Sequence, residues 1–291
     1  MSASDVTVMV TRGNHHVLVR SVMIAFQDLY RVLDFVGQGT FGAVYKVSNL
    51  RDGDYFALKI LKSEFVPDND ARIRFEREFE LLARLRHKNI VRVHDSGTKS
   101  GFSYFTMDWV EGGSLSSVLR QTERFDSSEV RIVLSQLLSA LGHLWDNEIV
   151  HRDLKPDNIL IDDSRKVYLV ADFGLAKFGA HLEHRPAYWA GTIPYMAPEQ
   201  FCHAGDVDIR ADLYSLGIVG IQLLTGSLPE FVLSSDDPVA ARYSVDFDGL
   251  SNQLRQFAPS CSLPTVLCKA IMPDPNARWA NPVEMKQGLW T

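Results

Sequence analysis

The segment from Ile149 to Leu160 places several reactive residue types between two apolar stretches. It reads Ile-Val-His-Arg-Asp-Leu-Lys-Pro-Asp-Asn-Ile-Leu, so that Asp153, Lys155 and Asn158 lie close together. A polar loop between rigid apolar segments is typical of a binding or catalytic site. An acid, an ammonium and an amide at this spacing could orient a hydroxyl group, neutralise anionic charge and coordinate a cation. A single aspartate in such a loop would more often close a turn or cap a helix, so its meaning depends on its neighbours.

A second acid follows the next apolar run. Asp172 comes directly after the strand-like stretch Val167–Ala171 and begins the triplet Asp-Phe-Gly. Carboxylate and amide oxygens are the ligands that Mg²⁺, a hard cation, prefers in proteins. Asn158 and Asp172 could therefore supply oxygen ligands to Mg²⁺, although each residue taken singly would more often form a turn or cap a helix.

Near the N-terminus, Gly37, Gly39 and Gly42 form the pattern G-x-G-x-x-G. Dinucleotide-binding loops have the same pattern, but there it lies between a strand and a helix. Here the glycines precede residues 43–47, a β-branched and aromatic run that predicts a strand. A glycine-rich hairpin lets backbone N–H groups approach phosphates without steric hindrance from a Cβ atom. This motif alone leaves open a plain hairpin without a ligand.

Lys59 lies in the apolar, strand-like run Ala57–Ile60. A buried, unpaired charge is costly, so this lysine needs a partner. A helix predicted from Asp70 to about Arg86 supplies one, because Glu78 lies on its apolar face. That face is formed by Phe75, Glu78, Leu82 and Leu85. We expect a Lys59–Glu78 ion pair that holds the ammonium where phosphates bind; the alternative, that both charges are solvated, stays open.

Composition excludes several classes of protein. The 291 residues carry a formal net charge of −6, which disfavours a nucleic-acid binder. The three cysteines, Cys202, Cys261 and Cys268, form no CxxC pair. This usage favours a reducing compartment, and we predict a cytoplasmic protein. The sequence shows no apolar run long enough to span a bilayer and no signal peptide.

The order of predicted elements divides the chain into a strand-rich part and a helical part. Strands are expected over residues 30–62 and 90–110, separated by the helix at 70–86. A second long helix begins at Asp126, which forms a capping box with Glu129.

The second half is predicted to be helical. The run 211–225 is apolar nearly all round and ends at Gly226, which predicts a helix buried on all sides. Asn281–Leu289 predicts a short closing helix. Residues 1–28 are ambiguous. The strand-prone runs Val6–Val10 and Val17–Phe26 predict either an extra hairpin or docking element, or a loosely held extension.

Six motifs occur in a fixed order: G-x-G-x-F-G-x-V, A-x-K, a helix glutamate, H-R-D-L-K-P-D-N, D-F-G, and A-P-E at Ala197–Glu199. Together they resemble the eukaryotic-type, or Hanks-type, serine/threonine protein kinase family. Gln200 and the run Asp208–Asp212 are similar to its bacterial branch. The resemblance extends from about Tyr30 to the C-terminus. Arg278 resembles the arginine that pairs with the glutamate of A-P-E, here Glu199.

The resemblance implies an α+β, two-lobed protein kinase fold. A small, β-rich N-lobe with one helix would precede a larger helical C-lobe. Residues 1–28 would be an extension of unknown role, and residues 29–291 would be the kinase domain. Within it, the N-lobe would cover about 29–107, the hinge 108–113 and the C-lobe about 114–291.

The resemblance also implies a role for each candidate catalytic residue, with ATP and Mg²⁺ as ligands. Asp153 would orient the attacking hydroxyl, Lys155 would lie near the γ-phosphoryl group, and Thr192 would buttress both. Lys59, paired with Glu78, would anchor the α- and β-phosphates. Asn158 and Asp172 would hold the metal.

A further set of residues is implied to bind the nucleotide. The three glycines would cover the phosphates, Met107 would be the gatekeeper, and the backbone of Asp108 and Val110 would hydrogen-bond the edge of adenine. The side chains implied to sandwich adenine are Val36, Val44, Ala57 and Leu160.

The expected function is therefore ATP-dependent phosphorylation of a serine or threonine hydroxyl of a protein substrate. The alternative is a catalytically silent pseudokinase that acts as a nucleotide-binding scaffold or allosteric partner. The chain retains Lys59, Asp153 and Asp172, which such proteins usually lose, so the active enzyme is favoured. The sequence indicates no nucleic-acid partner and leaves the oligomeric state open.

Overall fold

The computed structural model describes residues 15–38, 42–61, 79–80, 82–172, 192–202, 207–233 and 237–291. The chain divides into two compact units. The first contains the described residues up to Leu85 together with Arg92–Trp109. The second contains Arg86–Val91 and the described residues from Val110 onward.

The first unit is built on a five-stranded sheet, as the strand-like runs predict. Its strands have the order β1-β2-β3-β5-β4, and every neighbouring pair is antiparallel. Ser100 and Gly101, both with positive φ, form the turn between the last two strands. The strands are β1 (Tyr30–Gln38), β2 (Gly42–Asn49), β3 (Tyr55–Leu61), β4 (Val93–Lys99) and β5 (Phe102–Asp108).

The two faces of this sheet differ, because successive side chains on a strand point to opposite sides. Tyr45 and Val47 of β2 and Leu58 and Ile60 of β3 belong to one buried apolar core. The intervening positions, which include Lys59, therefore lie on the opposite face.

Helix α1 (His15–Phe26) covers the apolar face of the sheet. Val22 and Phe26 have no exposed surface, and the Phe26 ring meets Tyr104 edge-on at 4.9 Å. The expectation of a strand-prone run over Val17–Phe26 was therefore wrong. The β-branched residues favoured a strand. However, Val19, Val22 and Phe26 are spaced i, i+3 and i+7, which places them on one side of a helix that can bury them.

Part of the helix predicted over residues 70–86 is visible. Residues 79–80 and 82–84 are helical. Leu82 and Leu85 are buried, as their predicted apolar face requires. The remainder of that predicted helix, including Glu78, lies outside the described residues.

The second unit is mainly helical, with one antiparallel hairpin formed by β6 (Ile159–Asp162) and β7 (Val167–Val170). Short 3-10 turns occupy Pro156–Asn158, Ile193–Tyr195 and Pro275–Ala277. The helices described are α2 (Leu115–Leu119), α3 (Ser127–Asp146), α4 (Glu199–Cys202), α5 (Ile209–Thr225), α6 (Glu230–Leu233), α7 (Pro238–Tyr243), α8 (Phe247–Arg255), α9 (Leu263–Ala270) and α10 (Pro282–Gly288).

Two long helices organise this unit; α3 begins at the predicted residue, and α5 ends at the predicted one. Asp126 and Glu129 form a reciprocal capping box at the start of α3. Helix α5 is buried over most of its circumference and ends at Gly226, whose φ of 81° is left-handed. Helix α5 is therefore a rigid, buried support for the loops that contain the candidate catalytic residues.

Among the described residues, no helix combines the length and the apolar character needed to cross a membrane.

Candidate active site

One face of the first unit's sheet gathers several predicted nucleotide-binding residues. Val44 and Lys59 are direct cross-strand partners on β2 and β3. Ala57 is likewise opposite Met107 of β5. Because directly paired residues point to the same side of a sheet, these four side chains share the face that is turned away from the α1 core.

Lys59 is largely buried, with 6 % of its surface exposed. Its Nζ lies 5.4 Å from the centre of the Phe105 ring, its partner position on β5. Glycine at position 42 lets β2 approach β3 closely beside this lysine. A Cβ atom at Gly42 would lie 2.8 Å from the Ile60 carbonyl oxygen. The predicted Lys59–Glu78 pair cannot be traced, since Glu78 lies outside the described residues.

The glycine-rich segment joins two paired strands, as the sequence predicts. Gly37 on β1 is opposite Val44, and Gln38 is opposite Ala43 at the start of β2. The connection is thus strand to strand, which excludes a dinucleotide-type strand–helix turn. Gly39 itself lies outside the described residues. Val36 lies on β1 and is 51 % exposed.

At the end of β5, Asp108 is held by two contacts within the first unit. Its backbone N–H donates to the Arg92 carbonyl at 2.9 Å. Its Oδ1 lies 2.6 Å from His94 Nε2. A ligand could therefore use only the carbonyl group of the Asp108 backbone. Val110 is the first residue of the longer segment of the second unit. Leu160 lies on β6 of the same unit and is half-buried.

Asp212 of α5 holds the backbone of the polar loop that follows Ile149. The two oxygens of this buried carboxylate accept the backbone N–H groups of His151 at 2.7 Å and Arg152 at 2.8 Å. An anion that accepts two backbone N–H groups forms strong, charge-assisted hydrogen bonds. Asp212 therefore sets the path of the loop from sixty residues away.

His151 is fully buried and links this loop to the end of β7. Its Nδ1 accepts the Asp153 N–H at 3.2 Å, so the proton lies on Nε2, which donates to the Ala171 carbonyl at 3.1 Å. The imidazole thus ties the residue before Asp172 to the backbone of Asp153. Sequence reasoning assigned it no role; its place within an apolar run was the available signal.

The loop backbone adopts an uncommon conformation that other residues hold in place. Arg152 has a φ of 65°, and Asp172 a φ of 57°. Such left-handed values are unfavourable for residues with a Cβ atom. The Gln200 amide holds the first of them: its Nε2 donates to the Arg152 carbonyl, and its Oε1 accepts the Ala197 N–H, both at 2.9 Å. Gln200 was noted in the sequence only for its resemblance to the bacterial branch.

Asp153, Lys155 and Thr192 form one hydrogen-bonded cluster. Lys155 Nζ lies 3.0 Å from Asp153 Oδ1 and 2.6 Å from Thr192 Oγ1. Thr192 Oγ1 donates to the same Asp153 oxygen at 3.0 Å. Asn158 Nδ2 donates to the other carboxylate oxygen at 2.9 Å and to the Asp153 carbonyl at 2.8 Å. Both oxygens of the carboxylate are therefore oriented.

Burial raises the pKa of Asp153 above its ordinary value of 3.8, and the nearby charge of Asp172 raises it further. The ammonium of Lys155 and the Thr192 hydroxyl oppose this shift. The negative charge of Asp172 acts in the same direction as burial, because a like charge disfavours the ionised form of Asp153.

The donor set at Asn158 and Asp172 fits a magnesium ion. The Asn158 nitrogen is committed to Asp153, which directs the amide oxygen away as a neutral ligand. Asp172 offers a carboxylate, and the residue before it, Ala171, donates its backbone N–H to the Asn158 carbonyl at 2.9 Å. The described ranges contain no group of three or more His, Cys, Asp or Glu side chains able to hold a metal ion. Mg²⁺ commonly combines one or two protein ligands with phosphate oxygens and water, so a pair such as Asn158 and Asp172 suits this ion.

An ion pair braces the second unit beside this cluster. Arg278 Nη1 and Nη2 donate to the two oxygens of Glu199 at 2.7 and 2.8 Å. This confirms the predicted pairing of the two residues. Arg278 also donates to the carbonyls of Met272, Pro273 and Arg210, so its charge is fully satisfied.

The chain is similar to known proteins over most of its length. The family described as protein kinase domain matches residues 30–287. Over 266 residues, the chain is 31 % identical to the serine/threonine-protein kinase PrkC of Bacillus subtilis, covering 90 % of this chain and 40 % of PrkC. Over 203 residues it is 36 % identical to mouse ribosomal protein S6 kinase alpha-2, covering 69 % of this chain and 27 % of that protein. The chain thus spans less than half the length of these relatives.

Among solved structures, the PknI kinase domain of Mycobacterium tuberculosis aligns with a TM-score of 0.67 and 29 % sequence identity. The alignment covers 90 % of this chain and 95 % of that one.

Proposed function

Because the chain belongs to the protein kinase domain family, in the bacterial branch of its Hanks-type serine/threonine class, we propose that it transfers the γ-phosphoryl group of ATP to a serine or threonine hydroxyl of a protein. The observation that carries this proposal is the cluster of Asp153, Lys155 and Thr192, with both carboxylate oxygens of Asp153 oriented by hydrogen bonds.

In this proposal, Asp153 accepts a hydrogen bond from the attacking hydroxyl and later takes its proton. Oriented acceptors contribute by holding the nucleophile in a reactive geometry. The raised pKa of Asp153 brings this carboxylate closer to the operating pH, which favours proton acceptance. Lys155 offsets the negative charge that spreads over the transferred phosphoryl oxygens.

Asn158 and Asp172 would hold Mg²⁺, which supplies positive charge that neutralises the phosphates. In the first unit, Lys59 would bind the α- and β-phosphates with the backbone of Gly37, Gly39 and Gly42. Within the first unit, Val36, Val44, Ala57 and Met107 would contact adenine, and the backbone of Asp108 would bind its edge. For Leu160 and the backbone of Val110, in the second unit, the adenine-binding roles are those that the family resemblance implies. These assignments remain proposals, as do the pairing of Glu78 with Lys59, the boundary of the kinase domain at residue 29 and a cytoplasmic location.

The experiment is transfer of labelled phosphate from Mg-ATP to a generic serine/threonine protein substrate, comparing the wild type with Asp153→Asn. Asparagine preserves the shape of the side chain but accepts no proton, so we expect turnover to fall by about 10²-fold or more, in the range of a lost general base. Binding of Mg-ATP, measured by calorimetry, should change little.

A matched control is Asp146→Asn, which makes the same chemical change at an exposed position near the end of α3. It should transfer phosphate at the wild-type rate. A wild type that binds Mg-ATP but shows no transfer would refute the proposed activity and favour the pseudokinase. Equal activity in the wild type and Asp153→Asn would remove Asp153 from the mechanism.

A further inference from the structure

Arg242, on the short helix α7, is a charged side chain buried almost completely, with 1 % of its surface exposed. None of the motifs found in the sequence includes it. Arginine is among the residue types that are seldom fully buried unless their charge is matched. Burial lowers the pKa of its guanidinium from the ordinary value, which is the signature of a desolvated cation.

The partners of Arg242 are mostly backbone carbonyls of one segment. Its Nε donates to the Met196 carbonyl at 3.0 Å. Its Nη2 donates to the Ile193 carbonyl at 2.6 Å and reaches the Pro194 carbonyl at 3.4 Å. Its Nη1 donates to the Pro238 carbonyl, one turn earlier in α7. The Phe201 ring covers the guanidinium, with its centre 5.1 Å from Cζ.

The segment that Arg242 holds follows directly after Thr192. Ile193–Tyr195 forms a 3-10 turn, and Thr192 is its N-terminal flanking residue. The hydroxyl of Thr192 contacts both Asp153 and Lys155. A displacement of the turn would therefore be transmitted to the cluster through one residue.

Helix α5 holds the same turn from its other side. Ser215 Oγ donates to the Tyr195 carbonyl at 2.8 Å, and Tyr195 Oη donates to Gln222 Oε1 at 2.7 Å. Arg242 and α5 thus fix the turn between them. A methionine would fill much of the space of Arg242 without the cost of desolvating a charge, and apolar replacements of buried ions are often neutral or stabilising. A buried charge at this position is explained if the function of the protein requires the carbonyl groups that Arg242 holds in place.

We propose that Arg242 is a positioning residue of the acceptor site: it fixes the turn at residues 193–196 and thereby places Thr192 against Asp153 and Lys155. This inference rests on the proposed function, since it assigns the cluster to the acceptor hydroxyl. It predicts that Arg242 affects the reaction with the acceptor and leaves the binding of nucleotide unchanged.

The test compares Arg242→Met and Arg242→Lys with the wild type at a temperature where all are folded. We expect Arg242→Met to lower kcat/KM for the acceptor by about 10- to 100-fold, the range that follows from a small misplacement of reacting groups. The KM and the dissociation constant for Mg-ATP should stay within about twofold of the wild type. Arg242→Lys, which keeps the charge and part of the donor set, should recover a portion of the loss.

The matched control is Arg131→Met. Arg131 donates to the carbonyl of Leu289 and lies over the Trp290 ring at 4.6 Å, so it has the same kinds of partner at the end of the chain. Its replacement should leave kcat/KM for the acceptor unchanged. A folded Arg242→Met that reacts with the acceptor as the wild type does would overturn the inference. An equal decrease in kcat/KM for the acceptor and in affinity for Mg-ATP would also overturn the inference, because such a result would indicate a general loss of structure.

A second measurement does not depend on turnover. The Tyr195 and Met196 amides donate to the Thr192 and Ile193 carbonyls within the turn, so hydrogen exchange at these amides reports its order. Exchange should become faster in Arg242→Met and stay unchanged in α3. Unchanged exchange at residues 193–196 would refute the positioning role. A wild type without phosphate transfer would refute the proposed function alone, because the exchange result still decides whether Arg242 fixes the turn.

Discussion

At the scale of single residues, the proposed chemistry depends on the surroundings of the Asp153 carboxylate. Burial raises the pKa of Asp153, whereas Lys155 and Thr192 lower it. The net shift is upward, so the carboxylate becomes protonated at a higher pH than an exposed aspartate. A proton acceptor must be ionised to act, which makes activity sensitive to this balance.

We predict that the acidic limb of the pH profile of kcat/KM falls above pH 3.8, the ordinary value for aspartate. Below the raised pKa of Asp153 the side chain is protonated and cannot accept the hydroxyl proton, so activity is lost as the pH decreases. Thr192→Val removes a hydrogen bond that stabilises the carboxylate, so the limb should move to higher pH. The measurement is kcat/KM across pH in the variant and the wild type.

Thr192→Ser is the matched control, because it keeps the hydroxyl that donates to Asp153. Its acidic limb should coincide with that of the wild type. An acidic limb that stays in place in Thr192→Val would show that this hydroxyl does not tune Asp153.

At the scale of elements, the end of α5 shows how one glycine ends a helix. Gly226 has a φ of 81° and donates its N–H to the Gln222 carbonyl. A Cβ atom at this position would lie 2.1 Å from the Glu123 carbonyl oxygen. Both the backbone conformation and the neighbouring chain therefore require glycine.

Gly226→Ala should lower the free energy of unfolding by more than about 1 kcal/mol, because alanine strains the left-handed conformation and clashes with backbone. Gly142→Ala is the opposite case: Gly142 lies within α3, and a Cβ atom there meets nothing within 4 Å. It should raise stability by about 0.5–1 kcal/mol through its better helix propensity. Urea unfolding of both variants measures the two effects, and changes of the same sign would contradict this account.

At the scale of the whole molecule, the chain forms two units, and the described N-terminal residues belong to the first of them. Helix α1 lies before the start of the family match at residue 30, yet Phe26 is fully buried in the core of the sheet. The folded unit therefore extends beyond the segment that the family shares. This argues for a structural role of α1 in supporting the sheet that carries Lys59.

Phe26→Ala should lower the stability of the first unit by about 3–5 kcal/mol, because it removes a large buried ring and leaves a cavity. Ile24→Ala is the control on the same helix, since Ile24 is 58 % exposed and should change stability by less than about 0.5 kcal/mol. Urea unfolding followed by circular dichroism would resolve the difference. Equal midpoints for the two variants would show that α1 contributes little to the unit.

The sequence by itself determined the order of the motifs, and with it the family, because a phosphate-binding and metal-binding chemistry requires fixed residue types at local spacings. It also determined the sheet, the start of α3 and the end of α5, since alternation, capping and left-handed glycine are local signals. Cross-strand register then placed Val44, Ala57, Lys59 and Met107 on one face, a pairing between strands that only the fold provides.

Only the tertiary structure decided the contacts that hold the site in position. The strand-prone residues of α1 became a helix because burial against the sheet outweighed their local preference. Asp212, Gln200 and Arg242 each reach backbone groups 46 to 61 residues away. No periodicity or local motif encodes such bonds between a side chain and a distant backbone, because they exist only after packing has brought the segments together.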